Sequence, residues 1–379
     1  MIQADDIFAI CRLNWAGQYV TRRRAKTRES APGIDGRTST EMKEYFMDEK
    51  SLLKLNELLC HGRFIPSAVL AIKIPKPCGK DRILQVATFL DRAVQTCLTE
   101  ALAQKIDPLF HPSSHGFRKG RGHLTALATI AEATLNYKWA VKIDFAKYFD
   151  EIDRDRLMDL LRRYDVPEQL LKLIRAFISV KVKFPDGMKK SDKGIAQGGP
   201  LSPLLANVYL SPIDFEISRL GFLHVRYADD LIVFVNSKEE GDIFFHMMVR
   251  ACHGRFKAPI NADKSEVFPV ENLSFLGFEL GAGGGLRVPL AVANALRADV
   301  KDMATRALSY ESGTSSHLDL LVKILAKLNY RAVADNFEEI YQLIRDDLKS
   351  VGLPEQLLAR IDRSIRKTRL RQRRKIGKL

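Results

Sequence analysis

The sequence predicts an α+β chain, and three observations carry that prediction. Apolar segments of strand length, between Val69 and Val86, Trp139 and Asp144, and Leu223 and Val235, are bounded by turn residues. Stretches with helical character precede and separate them, at residues 1–60, 91–106, 154–180, 203–219 and 238–256. From about Leu290 onward the pattern is helical throughout. A chain of 379 residues has room for two or three packed units and ample core, and its 46% hydrophobic content is ordinary for a globular protein.

The chemistry-bearing stretch is Leu223 to Val235. Apolar residues alternate before Asp229-Asp230 and run almost unbroken after it, the pattern of two antiparallel strands joined by a tight turn with both carboxylates at its tip. An Asp-rich turn is the competing account, since Asp bonds its own backbone in turns. Adjacent like charges repel unless a cation neutralises them. A hard divalent ion, most simply Mg2+, does so through oxygen ligands. A third acid has a matching setting: Trp139-Ala140-Val141-Lys142-Ile143-Asp144 reads as a buried strand that ends on a carboxylate. If the two strand-borne sites converge, three carboxylates can hold two metals roughly 3.5–4 Å apart, the arrangement that serves nucleotidyl transfer.

Four stretches carry a family resemblance: Ile143-Asp144-Phe145-Ala146-Lys147-Tyr148-Phe149-Asp150, Gln197-Gly198-Gly199-Pro200-Leu201-Ser202-Pro203-Leu204-Leu205-Ala206-Asn207, Tyr227-Ala228-Asp229-Asp230 and Phe275-Leu276-Gly277-Phe278. On these residues, in this order, the chain resembles the reverse transcriptases, and it is most similar to their bacterial group II intron lineage. The match extends from about Pro32 to about Phe278. The resemblance implies a right-hand polymerase fold with fingers, a palm built on an antiparallel sheet, and a helical thumb. It divides the chain into an N-terminal extension and fingers (1–135), a palm with part of the fingers interleaved (136–285), and a thumb with a basic C-terminal tail (286–379). It further implies an RNA-directed DNA polymerase that adds dNTPs to a DNA or RNA primer 3′ end opposite an RNA template. Asp144, Asp229 and Asp230, with Phe145 beside them, would hold two Mg2+, with Mn2+ as an alternative.

The net charge of +14 points to a polyanionic partner, of which nucleic acid is the simplest. An anionic membrane surface would want an exposed amphipathic helix with a clear apolar face, and nothing in the sequence demands one. Cys11, Cys60, Cys78, Cys97 and Cys252 are scattered and odd in number, which reads as reduced thiols without a zinc site. The N-terminus has no basic region and apolar run of the kind a signal peptide needs, and no stretch approaches the roughly 20 apolar residues of a membrane span. A cytoplasmic protein is the expectation.

Taken in order, residues 1–60 read as helical, with a basic patch at Thr21–Lys26 and an interrupting loop at Ala31–Gly36 whose Pro and paired Gly explain a turn by themselves. By resemblance this loop belongs to an extension that helps clasp template and primer. A hairpin from Val69 to Val86 turns at Pro77-Cys78-Gly79 and is basic at one end through Lys73, Lys76, Lys80 and Arg82. A solvated charged edge is the competing reading. The resemblance places the hairpin in the fingers, where Arg82, with Lys76 or Lys80, would grip the incoming triphosphate, because a guanidinium fork suits phosphate oxygens and Lys adds a mobile charge. The family's Arg-Pro-Leu is replaced here by Arg82-Ile83-Leu84, a departure from typical intron proteins.

An amphipathic helix from Asp91 to about Ile106 ends ahead of Pro108 and Pro112. The loop Ser114–His123 is basic and spaced by glycines, so it can approach a sugar-phosphate backbone closely. Arg118 and Arg121 are the expected nucleic-acid contacts, with a solvated loop as the alternative. Asp153 reads as the N-cap of a helix over 154–180 and Asp150 as structural. By resemblance Phe149 stacks beneath the nucleotide sugar, where a ring would collide with a 2′-hydroxyl; a plain core Phe is the alternative. Ser202 as N-cap and Pro203 in the first turn start a helix reaching about Arg219. Gln197 would lie against the nucleotide, with Gly198 letting the backbone come near. Lys264 is a candidate general acid for the departing pyrophosphate. Tyr227 and the Phe275-Leu276-Gly277 segment would hold the primer end. Gly281–Gly285 reads as a hinge. The last twenty residues hold ten Lys/Arg and only Asp362 as an acid, a tail that is either nonspecific or ordered on a structured RNA.

The composition shows no sign of an endonuclease or integrase domain. That absence favours a freestanding enzyme with a dedicated noncoding RNA, as in antiphage defence, over a group II intron maturase acting in splicing and mobility. An RNA-binding scaffold with an incidental site and an RNA polymerase on the same palm are the other readings.

Overall fold

The computed structural model describes residues 7–21, 31–75, 81–280, 285–309 and 314–376. The chain divides into two compact units, each assembled from interleaved segments. The first comprises Met1–Lys119, Asp144–Leu220 and Met248–Ala262; the second comprises Gly120–Ile143, Gly221–Met247 and Asp263–Leu379. Strands and helices are mixed in both, as the sequence pattern predicts. No described helix is long and apolar enough to cross a membrane.

In the first unit, helices α1 (Ile10–Thr21), α2 (Ser39–Met47) and α3 (Glu49–Cys60) match the helical reading of residues 1–60 among the described residues. Helix α3 packs on α1 and α2, and these two pack with α4 (Phe89–Ile106), which buries Phe89, Ala93, Val94, Leu98 and Leu102. Helix α4 begins two residues earlier than the periodicity suggests because Thr88 caps it: its hydroxyl accepts from Asp91 N at 3.1 Å. The expected hairpin is present as β1 (Val69–Pro75) and β2 (Asp81–Val86), antiparallel with Ile72 opposite Leu84. The short hairpin β4 (Val182–Phe184) and β5 (Gly187–Lys189) extends this sheet, β4 running parallel to β1, in the order β2-β1-β4-β5.

The helix expected over 154–180 is two helices. After the four-residue turn α6 (Tyr148–Glu151), α7 (Arg154–Arg163) and α8 (Glu168–Ile178) are separated at Asp165, whose φ is +52°, and Pro167. Proline bars the residue before it from helical geometry. Asp153 does cap α7, accepting from Arg156 N at 2.8 Å. Helix α9 (Ser202–Arg219) is buried along most of its length and packs against α7. Ser202, however, is the first helical residue and not its cap.

In the second unit, α5 (His123–Asn136) adjoins a sheet of β6 (His224–Tyr227), β7 (Asp230–Val235), β3 (Trp139–Asp144, whose last residue is counted with the first unit) and β8 (Glu266–Pro269), in the order β6-β7-β3-β8. Helix α10 (Lys238–His253) follows β7. Gly241 allows a close approach to this sheet, since a Cβ there would come 2.6 Å from Val267 and 3.3 Å from Val235. A second small sheet joins β9 (Ser274–Phe275), β10 (Phe278–Leu280) and β11 (Leu286–Arg287). Helices α11 (Leu290–Ser309), α12 (Thr314–Asn329), α13 (Phe337–Ser350) and α14 (Glu355–Ile376) complete the unit, as the helical reading beyond Leu290 expects. One apolar core runs from Leu127 and Ile130 through Val225, Ile232 and Phe278 to Ile344 and Ile365. Residues 281–284 of the expected hinge and the basic patch beyond Thr21 lie outside the described residues. The basic tail is helical through Ile376.

Candidate active site

Tyr227 lies opposite Asp230 in the β6–β7 pairing, so Ala228 and Asp229 form a two-residue turn. Ala228 has a φ of +59°, a left-handed conformation that costs an L-residue roughly 1–2 kcal/mol. Arg226 supports it from below. Its side chain is fully buried, and its Nη1 donates to the Ala228 carbonyl at 2.9 Å. Beyond the turn, Leu231 to Val235 are all buried, which fixes the register and keeps both partly exposed carboxylates at the tip. Sequence reading passed over Arg226. The signal was a cation set among buried strand residues.

Asp144 closes β3, the strand next to β7 in the sheet. Its carbonyl accepts from Asn261 N at 2.8 Å, and Ala146 N donates to Pro259 O at 2.8 Å. Phe145 is buried and bridges to Ile260. Among the described residues no three His, Cys, Asp or Glu side chains are grouped as an ion cage. The donor chemistry at the turn is two adjacent carboxylates, an oxygen set that fits a hard divalent cation and not zinc.

Phe149, on α6, is half-buried and meets Tyr148 edge to face, with ring centroids 5.5 Å apart. Its carbonyl accepts from Ile195 N at 2.8 Å. The Gln197 carbonyl accepts from Gln85 N on β2 at 2.8 Å. Gly198 has a φ of +120°, and a Cβ there would come 2.8 Å from the Leu84 side chain, so glycine is required by both conformation and space. Ser202, displaced from its expected capping role, donates instead to the Ala196 carbonyl at 2.6 Å. The hydroxyl thus fastens the Gln197 loop to the start of α9.

Lys76 and Lys80 lie outside the described residues, as does the side chain of Arg82, whose backbone is in β2. Arg118 is committed within the protein. Its Nε donates to Asp107 at 2.8 Å, and its remaining nitrogens donate to the carbonyls of Asp107, His111 and Ser114. With its side chain 6% exposed, it organises the loop and presents no cation to a phosphate. Its neighbour Phe117 is 59% exposed, at a φ of +58°. Arg121 is half-buried and Lys264 is exposed.

Phe275 and Phe278 face each other across a second two-residue turn, with Leu276 at φ +53° and Gly277 at +77°. Both rings are buried in the core, so the Phe275 side chain cannot grip a primer. The turn backbone remains available. Tyr330 OH donates to the Leu276 carbonyl at 3.0 Å, and the Tyr330 ring lies against Phe278 at 5.7 Å and His123 at 4.3 Å. Burial raises the Tyr330 pKa and lowers that of His123. Tyr227 is partly buried and packs on the same core.

The profile described as Reverse transcriptase (RNA-dependent DNA polymerase) matches residues 74–280 of the chain. The chain belongs to the reverse transcriptase family. Among curated relatives, the Group II intron-encoded protein LtrA of Lactococcus lactis subsp. cremoris is 34% identical over 185 residues, 48% of this chain and 31% of that protein. Protein YkfC of Escherichia coli (strain K12) is 29% identical over 201 residues, 52% of this chain and 51% of that one. The Retron Mx162 reverse transcriptase of Myxococcus xanthus is 29% identical over 170 residues, 42% and 34% of the two chains. The reverse transcriptase match thus spans between about a third and half of the length of these relatives. Among solved structures, telomerase from Candida albicans in complex with a TWJ fragment of telomeric RNA is 13% identical with a TM-score of 0.50, covering 98% of this chain and 77% of that one. Apo telomerase from Candida tropicalis is 13% identical with a TM-score of 0.52, covering 82% and 64%. The likeness to these structures bears out the right-hand polymerase fold of this reverse transcriptase, and the curated relatives bear out its group II-like affinity.

Proposed function

We propose that the chain is an RNA-directed DNA polymerase that extends a DNA or RNA primer 3′ end with dNTPs on an RNA template. The observation that carries this is the Asp229–Asp230 turn, held by a buried arginine, on a strand whose sheet neighbour ends on Asp144. Asp144, Asp229 and Asp230, with the main chain at Phe145, would hold two divalent ions, most simply Mg2+. Such ions, when bound, supply Lewis acidity to the primer hydroxyl and neutralise charge on the leaving pyrophosphate. The protein's own residues do the rest. Arg226 orients the turn, Phe149 faces the sugar of the incoming nucleotide, Gln197 and Gly198 shape its pocket, and Lys76, Lys80 and Arg82 take the triphosphate. Arg121, Tyr227 and the Leu276–Gly277 backbone would contact template and primer, and Lys264 would donate to the pyrophosphate.

The polyanionic partner has a second support. Arg360, Arg363, Lys367, Arg371 and Arg374 are exposed along one side of α14 and make no ion pair among the described residues. Arg369 and Arg373, on its other side, are paired with Glu338 and Asp335. A cationic face of this kind suits a phosphate backbone and makes binding salt-dependent.

Primer extension on an RNA template tests the proposal. Asp144→Ala, Asp229→Ala and Asp230→Ala should each lower the rate roughly a thousandfold or more. Near-parental extension by any of the three would end the assignment, and preferential use of NTPs would point to an RNA polymerase. The template is a structured RNA. A dedicated noncoding RNA in antiphage defence is one setting; an intron transcript is the other, favoured by the likeness to proteins named for group II introns. Sequencing the RNA and cDNA that copurify with the protein separates these two, and recovery of RNA without cDNA would point to a maturase or scaffold.

A further inference from the structure

Arg154 occupies an electrostatically poor place. It is the first residue of α7, where the helix dipole disfavours a cation, and it is 8% exposed. Desolvation holds its pKa below the usual guanidinium value, and it makes no ion pair among the described residues. Its donors go to two carbonyls of one loop: Nε to Gly194 at 2.7 Å and Nη1 to Ser191 at 2.5 Å. Gly194 has no room for a side chain. Its φ is +79°, and a Cβ would come 2.7 Å from the Asp150 carbonyl oxygen and 2.9 Å from that of Phe149. Gly194 N donates to Ile152 O at 2.7 Å and Ile195 N to Phe149 O at 2.8 Å. The backbone that carries the Phe149 ring is therefore zipped to the loop leading to Gln197, and Arg154 clamps the far side of the zip.

The ring needs such a clamp. It stands on a helix of four residues, too short to hold its own position. Rejecting one extra oxygen on a sugar requires the ring to be fixed to about 0.5 Å. We propose that Arg154 and Gly194 are specificity-determining positioning residues, which set the distance between the Phe149 ring and the Gln197 loop and so the preference for deoxyribonucleotides over ribonucleotides. This rests on the reading that Phe149 faces the nucleotide sugar.

Single-nucleotide incorporation on an RNA template, with kcat and KM measured for a dNTP and its matching rNTP, tests the proposal. Phe149→Val, with the clamp intact, should lower the dNTP:rNTP ratio of kcat/KM by about a hundredfold. Gly194→Ala and Arg154→Met should each lower it by about tenfold, mainly through KM, with Arg154→Lys in between because it retains one donor. In the Phe149→Val background, Arg154→Met should change the ratio no further, since there is no ring left to place. Equal losses for both nucleotides, or additive effects in the double variant, would overturn the clamp. Should Gly194→Ala fail to fold, the Arg154→Met cycle with Phe149→Val decides alone. An unchanged ratio in Phe149→Val itself would overturn the reading of Phe149 and is separately visible.

Discussion

The hairpin that closes Tyr227 against Asp230 and the one that closes Phe275 against Phe278 both turn in two residues. Both place the first of these in the left-handed region, Ala228 at +59° and Leu276 at +53°, where glycine or asparagine is the usual choice. In both, the carbonyl of that residue is held by a side-chain donor, Arg226 in the first and Tyr330 in the second. They differ in where the donor comes from. Arg226 belongs to the hairpin's own strand, two residues before the carbonyl it holds. Tyr330 lies 54 residues further along the chain, just past α12. The carboxylate turn thus carries its own support, whereas the Leu276 turn borrows its support from the helical region.

Three experiments sharpen that contrast. The largest effect is expected at Arg226. Arg226→Met removes the donor to the strained Ala228 carbonyl and alters a fully buried side chain, and should cost roughly 3 kcal/mol of unfolding free energy together with most of the activity. A urea midpoint equal to the parent's would show that the turn stands without it. Tyr330→Phe keeps the ring and removes only the hydroxyl, so about 1 kcal/mol is expected. Its functional effect should be a few-fold rise in KM for the primer, with KM for dNTP unchanged. A matching rise for both substrates would mean that the two turns are not independently supported.

The third experiment is a pH dependence. Burial lowers the His123 pKa below 6.5, so the folded state favours the neutral ring that stacks on Tyr330. The stability this contributes is fully present above the unfolded value and is lost as pH falls through the lower folded one. Melting temperature in the parent should therefore carry a His123-dependent fall as pH drops below about 6.5, and His123→Phe should flatten it. Parallel slopes for parent and variant would exclude His123 as the cause.

Much of this was legible in the sequence. The acidic hairpin, the strand ending at Asp144, the Val69–Val86 hairpin and the helical C-terminal region follow from apolar periodicity, which tertiary packing left unchanged. Where the reading departed, a local signal competed with a long-range one. Ser202 carries the chemistry of a cap, but its hydroxyl is drawn to Ala196 by the loop packed ahead of it. Arg118 looks like a phosphate ligand until the Asp107 carboxylate and three carbonyls surround it. Phe275 is expected by resemblance at the primer end, yet its ring is buried in the core. Pro167 was a readable stop that the long helical pattern outweighed. Arg226, Arg154 and Gly194 act through carbonyls brought close by folding, and no spacing rule announces such partners.

The shortness of the Ala228–Asp229 connection has a consequence of its own. Side chains on a strand alternate faces with a period of two, so lengthening the link by a single amino acid is not a local event. It would rotate Leu231 through Val235 by half a turn or slip them past β6, exchanging the two sets of buried side chains between faces that are packed differently. The number of letters between the paired strands is accordingly under as much constraint as the letters themselves. Drift in length should be tolerated instead at loops such as Pro185–Asp186, where the flanking strands are three residues each and only partly covered.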